Sequence, residues 1–432
     1  MGVSKFDQVE VDSFGSKTNS LMRLKRAATR AAAYNPEDFP ADTTDITLTM
    51  ETAADAALTR IYTAVSGGTA LTSVTLDKVF RFTGGRYTVE PVSGSNRVAF
   101  PVASVAPALG GLQNNLPATP SYQAWGWELE TVTDAPKLQL RIAGNAVRGV
   151  RVRVDGKYVS KAALAYAATS SSNFLTLVFA TRKLRTIVIE GTGNDLIQHA
   201  AVAPTAALSP GTGATDRVLA IVTGDSYSEG TGATYPGLFG YPKVLGRLLG
   251  WSDVRTTAVG STGYLSTSNG TRKKVRDQIA DWPVVNSDIS MSDVDVVVLA
   301  AGYNDYAQAN VLTLLQDEVA ATIRTARNMC PNAIIFVLGS HSGARGPDAQ
   351  TLAVEALIQQ AFQQVGDSRS YYVPNASNVT PFTFGTGYVG ATNASGDSDF
   401  KISADGTHPN DLGHQSIAQR LAAVIRNILA QL

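Results

Sequence analysis

The sequence predicts two architectures in tandem, a β-sandwich followed by a three-layer α/β/α domain with a parallel sheet. Three observations predict them. From residue 215 onward, short apolar runs alternate with segments of helical periodicity. Between residues 125 and 190, short alternating strands follow one another at close spacing. The run at 203–214 consists of small residues with two prolines and two glycines, which reads as a linker between domains. The expected division is a small, partly β module at 1–105, a β-sandwich or jelly roll at 106–205, and the α/β/α domain at 215–432.

In chain order, residues 21–33 read as a helix rich in Arg and Ala, and Ile46 to Met50 alternates as a strand does. Phe80 to Phe82, then Gly84-Gly85 and Tyr87 to Val89, reads as a hairpin. Trp125 to Glu130, Leu138 to Ile142, Phe174 to Phe179 and Thr186 to Ile189 are strand candidates. Val150 to Val154 alternates strictly before Asp155-Gly156, a hairpin turn signal. Trp125 and Trp127 share a strand face, better read as core than as a glycan platform. Downstream, Val218 to Val222, Val254 to Val259, Val294 to Ala300, Ile334 to Leu338 and Tyr371 to Val373 are strands. The valine-rich run has the composition of a strand buried on both faces. Helices are expected at 241–249 and 349–365, on a Leu312, Leu315, Val319, Ile323 face, and on a final Ile417, Leu421, Val424, Ile428 face.

Composition narrows the function classes. Lys plus Arg and Asp plus Glu number 36 each, so no net field favours nucleic acid or an anionic membrane. No apolar stretch approaches the ~20 residues of a membrane helix, and no secretory signal is visible at the N-terminus. The single cysteine, Cys330, rules out a thiolate metal cluster and reads as a buried thiol, and the four histidines lack zinc-site spacing.

Chemistry is expected where loops leave the carboxyl ends of parallel strands. The first strand runs into Gly224-Asp225-Ser226-Tyr227, the valine strand into Gly302-Tyr303-Asn304-Asp305, and a C-terminal loop holds Asp405-Gly406-Thr407-His408. Each fragment alone fits a blander role: a Ser/Asp helix cap, Asn and Asp as turn formers, a solvated loop. Asp and His three residues apart can hydrogen-bond, with the carboxylate fixing the imidazole tautomer.

Together, in this order, the three blocks resemble the SGNH or GDSL hydrolase superfamily across roughly residues 215–432. The resemblance implies a flavodoxin-like α/β/α fold and a serine esterase with Ser226 as nucleophile, His408 as base and Asp405 as its orienting carboxylate. It implies an oxyanion hole from the Ser226 N–H, the Asn304 side chain and a turn amide, either Ser261 or Gly263. The serine-esterase mechanism so implied needs neither metal nor organic cofactor. Here the expected glycine is replaced: the family's Gly position falls on Ser261. Asp225 is expected to stabilise its loop, Asp305 to cap the next helix, and His414 to lie on a helix face.

The loops around this site are rich in Tyr, Ser, Thr and Asn, which suits sugar hydroxyls better than a long acyl chain. Tyr227, Tyr264, Tyr303 and His341 are the substrate-binding candidates. The expected substrate is a short-chain, O-acetyl ester of a carbohydrate or another small ester. The competing readings are a lipase or thioesterase for longer acyl chains, and a phage-tail-type glycan-binding protein, with an extracellular or virion-associated setting. Oligomeric state is left open.

Overall fold

The computed structural model describes residues 17–33, 45–63, 75–92, 95–99, 126–144, 148–166, 169–192, 196–211, 217–343, 346–377 and 399–432. The chain divides into two units: residues 1–33, 216–233 and 244–432 form one, and residues 34–215 and 234–243 the other. In sequence, the second unit is an insertion within the first.

The first unit holds a five-stranded, wholly parallel sheet, here numbered β1 (Leu219–Gly224), β2 (Asp253–Thr256), β3 (Val296–Ala300), β4 (Ile334–Leu338) and β5 (Ser370–Val373). Its spatial order is β2-β1-β3-β4-β5, the flavodoxin-type order. The order reverses between β1 and β3, so loops leaving those neighbouring strands diverge and open a crevice at their carboxyl ends.

Every residue of β1, β2, β3 and β4 is buried, and β1, β3 and β4 accordingly read as apolar runs rather than alternating ones. Leu219, Ile221, Val297, Leu299, Ile335 and Val337 share one core with Leu315, Val319 and Ile323 of the Val311–Met329 helix and Ile358 of the Ala349–Val365 helix. Each such side chain contributes roughly 1.5–3 kcal/mol by leaving water. The second strand stops at Thr256, three residues short of the apolar pattern. In the Val311–Met329 helix the buried stripe begins at Val311, and Leu312 is exposed. The final helix, Asp411–Gln431, buries Ile417, Leu421, Ile425 and Leu429, a strict i, i+4 ridge, where Val424 and Ile428 were expected.

The helix Lys17–Ala33 belongs to this unit and buries Leu24, Ala27, Ala28 and Ala31. Ser20 Oγ donates to Asp295 Oδ1 at 2.8 Å, Arg23 pairs with the same carboxylate, and the Leu219 N–H donates to Asp295 Oδ2 at 3.0 Å. One buried acid thus ties the start of the chain to the first and third strands of the sheet.

Among the described residues, the second unit is built from two antiparallel sheets of seven strands each. Their inner faces meet in one core that includes Leu129, Leu140, Ile142, Val150, Val152, Leu175, Leu177, Ile187 and Ile189. Asp155 and Gly156 both take positive φ, 51° and 84°, the geometry of a two-residue hairpin turn. The expected boundary at residue 105 is absent. Ile46–Glu51 pairs with Thr169–Phe179, Arg60–Thr63 with Leu196–Val202, and Arg81–Thr83 with Gly126–Thr133, so strands from both sides of it share the same sheets. The hairpin expected around residues 80–89 is also replaced, because Arg81–Thr83 and Thr88–Val92 lie in different sheets. Within the expected linker, Leu208 and Ser209 pair with Thr133 and Val132, and Ala206 and Leu208 are buried. Trp127 is core, lying flat enough over Gly191 that a Cβ there would fall 2.0 Å from its ring. Trp125 lies outside the described residues.

Candidate active site

The loop after β1 turns sharply at Gly224, where any Cβ would sit 2.0 Å from the Ala300 carbonyl oxygen of the neighbouring β3. Only glycine permits that approach. Asp225 then caps a single helical turn, Ser226–Glu229, by accepting the Tyr227 N–H at 3.0 Å. Burial, reinforced by nearby Asp305 and Glu229, pushes the Asp225 carboxyl up to about 8. Ser226 begins this turn, and its N–H has no partner among the described residues.

Ser226 Oγ lies 2.8 Å from His408 Nε2, and His408 Nδ1 lies 2.5 Å from Asp405 Oδ2. Hydroxyl, imidazole and carboxylate therefore form one hydrogen-bonded line. The loop holding the last two is tightly organised. Asp405 Oδ1 accepts from the Thr407 N–H at 2.8 Å, the His408 N–H at 2.9 Å and the Ser403 hydroxyl at 2.8 Å. Burial opposes ionisation of Asp405, yet these donors and the imidazole outweigh it and hold the carboxyl well below the usual range. From the other side, the Tyr227 hydroxyl donates to the Thr407 carbonyl at 2.6 Å, tying the Ser226 turn to the His408 loop.

The turn at 260–266 faces a different set of restraints. The Gly263 N–H donates to the Ser266 carbonyl at 3.0 Å, so it is occupied and is not the sought turn donor. The Ser261 N–H has no partner among the described residues. Ser261 itself sits at φ 62°, the left-handed region where the expected glycine would be at ease. Asn304 Nδ2 donates one hydrogen to the Thr262 carbonyl at 2.9 Å, leaving its second hydrogen. Asp305 does not cap the next helix. Its buried carboxylate accepts the N–H groups of Tyr264, Leu265 and Ser266 at 2.8–2.9 Å and pins this turn. Burial raises its pKa, while those three amides counter the shift.

Replacing Ser261 by Gly should leave any activity of this site intact, because the group of interest is a backbone amide. It should also raise the unfolding free energy by up to ~1 kcal/mol through relief of the left-handed strain. A thermal melt and a steady-state assay check both parts, and loss of activity would show that the serine side chain itself matters.

Of the four substrate-binding candidates, only Tyr303 keeps exposed surface. Tyr227 and Tyr264 are 0% exposed and His341 is buried, so none of them meets a substrate arriving from solvent. Tyr227 instead stacks on His341, with ring centres 4.5 Å apart, and His341 Nδ1 lies 3.1 Å from Asn375 Nδ2. Burial lowers His341 to about 3, keeping it neutral as a packing group beneath the site. His414 is likewise buried, with Nε2–H donating to the Thr231 carbonyl at 3.0 Å. No cluster of His, Cys, Asp and Glu suited to a metal occurs among the described residues. Cys330 is buried, and burial pushes its thiol up to about 12.

Residues 222–416 match the GDSL-like Lipase/Acylhydrolase family. No curated protein matches the chain in sequence. Among solved structures, a family two carbohydrate esterase from Cellvibrio japonicus is similar in fold at 13% identity, with a TM-score of 0.56 over 89% of this chain and 99% of that one. A salicylyl-acyltransferase from a tetracycline biosynthetic pathway aligns at 15% identity and TM-score 0.57, over 86% and 98%. An acetyl xylan esterase from Butyrivibrio proteoclasticus aligns at 12% identity and TM-score 0.50, over 90% and 99%.

Proposed function

From the premise that residues 222–416 are a GDSL-like lipase/acylhydrolase domain, we propose that this protein is a serine esterase that removes short acyl groups, chiefly O-acetyl, from a carbohydrate. One observation carries the reading: the unbroken line from Ser226 Oγ through His408 to Asp405. His408 takes the Ser226 proton as the oxygen attacks the ester carbonyl, and Asp405 supports the imidazolium that forms. The tetrahedral oxyanion is held by the Ser226 N–H, the Ser261 N–H and the Asn304 amide, each such donor being worth ~2.7–4 kcal/mol in the transition state. His408 then protonates the departing sugar hydroxyl, and a water molecule repeats the sequence to release the acid.

The choice of a carbohydrate rests on two supports. Carbohydrate esterases recur among the fold neighbours, and they share the chain nearly end to end. Tyr303, half-buried with its ring 5.1 Å from that of Tyr227, and Phe400, 53% exposed and joined to the His408 loop by the Asn410 amide on its carbonyl, are the aromatic groups this reading assigns to a sugar ring. In this reading the two-sheet unit is an accessory domain of the jelly-roll type.

Acetate release from a panel of acetylated polysaccharides, run beside an acyl series from acetate to octanoate, tests the proposal. The expected result is release from at least one polysaccharide, with kcat/KM falling as the acyl chain lengthens. Preference for octanoate would point to a lipase or thioesterase, and glycan binding without any ester cleavage would point to an attachment protein.

A further inference from the structure

A peptide group has two ends, and the one holding the Ser261 N–H has the Gly260 carbonyl as its other end. That carbonyl accepts from Arg272 Nη1. The preceding peptide is held too, since the Gly260 N–H donates to the Glu229 carboxyl. Gly260 is therefore gripped on both sides. A Cβ at this position would lie 2.7 Å from Glu229 Oε2 and 3.4 Å from Arg272 Nη1, so a larger residue would have to push the Glu229 carboxyl aside. Glu229 ends the helical turn that Ser226 begins. Arg272 is anchored through its own backbone, its N–H donating to the Thr267 carbonyl at 2.9 Å.

Building on the esterase reading, we propose that Arg272 and Glu229 are positioning residues for the oxyanion hole, fixing and polarising the Gly260–Ser261 peptide so that its N–H serves the transition state. A cation donating to a peptide oxygen draws electron density from the nitrogen and strengthens the N–H as a donor. The same contacts resist rotation of a peptide whose serine sits in an unfavourable backbone region. Glu229 also couples this peptide to the nucleophile's own turn, so that the Ser226 and Ser261 amides keep a common frame.

The test is Arg272→Met in the full chain, measured with a chromogenic acetate and with a small alkyl boronic acid. The boronate forms a tetrahedral adduct on Ser226 and places an oxygen where the oxyanion would lie. The expected result is a fall in kcat of about 10- to 100-fold, below the cost of deleting a donor outright. KM should stay within about twofold, boronate affinity should fall by a similar factor to kcat, and Arg272→Lys should recover part of the loss. Unchanged kcat would overturn the proposal, and so would lost kcat with undiminished boronate affinity. If the Met variant does not fold, Arg272→Gln takes its place: boronate affinity below wild type supports the proposal, and wild-type affinity overturns it. An active Ser226→Ala protein would instead sink the esterase reading, whereas an inactive one beside a fully active Arg272→Met would sink only this inference.

Discussion

Replacing Ser226 by Ala, or His408 by Ala, is expected to lower kcat on a chromogenic acetate by ~10⁵–10⁶-fold while the protein stays folded. The size follows from the division of labour. An alcohol is a poor nucleophile at neutral pH, and its attack depends on a base taking the proton during bond formation. Here the base stands 2.8 Å from the hydroxyl. Removing either partner removes the same step, so the double variant should lose scarcely more than each single one. Stability should change little, because the Ser226 turn is held by the Asp225 cap and the Gly224 approach rather than by the hydroxyl. Steady-state kinetics with a parallel melt decide it. Activity retained in Ser226→Ala would remove this residue as nucleophile, and additive losses in the double variant would show that the two act separately.

Asp405→Asn is expected to lower kcat by ~10⁴-fold with little effect on KM. The asparagine oxygen can still accept the Thr407 and His408 amides, which preserves the loop. Its NH₂ would then face Nδ1 and favour the imidazole tautomer with the proton on Nε2, the wrong one for a base toward Ser226. The substitution should also change the pH dependence of stability. The folded-state pKa of Asp405 is depressed, so its stabilising contribution is present above the unfolded carboxylate value, about 4, and disappears as pH falls through the lower folded value. Denaturant unfolding from pH 7 into the acid range should therefore show a shallower loss of stability in the variant. A variant with wild-type kcat would mean that His408 needs no partner here.

Much of this site was legible because its parts sit in short segments with strong local signatures. Ser226 follows an apolar strand and a glycine, Asn304 follows the valine strand, and Asp405 and His408 share one turn. The supporting residues were not legible. Arg272 lies 12 positions from the carbonyl it holds, and Asp305 about 40 from the amides it accepts, and nothing in sequence pairs such segments before the sheet does. Two of the tyrosines expected to bind substrate were misread for another reason. Residue type says what Tyr227 and Tyr264 can do, but burial decides whether they do it, and both lie wholly inside. The parallel sheet was predictable strand by strand. The antiparallel sheets were not divided correctly, because register there is set between strands more than a hundred residues apart, as with Ile46 and Phe179.

The order of events during synthesis follows from where Asp295 finds its partners. Ser20 and Arg23 leave the ribosome some 270 residues before the carboxylate that captures them. Until then the Lys17–Ala33 segment lacks the carboxylate that holds it, while both pieces of the second unit, residues 34–215 and 234–243, have already been made. The parallel-sheet unit expressed from residue 215 alone would lack this brace and leave Asp295 without its Ser20 and Arg23 partners. Genetic fusion of the helix to the far end of the chain would be the remedy.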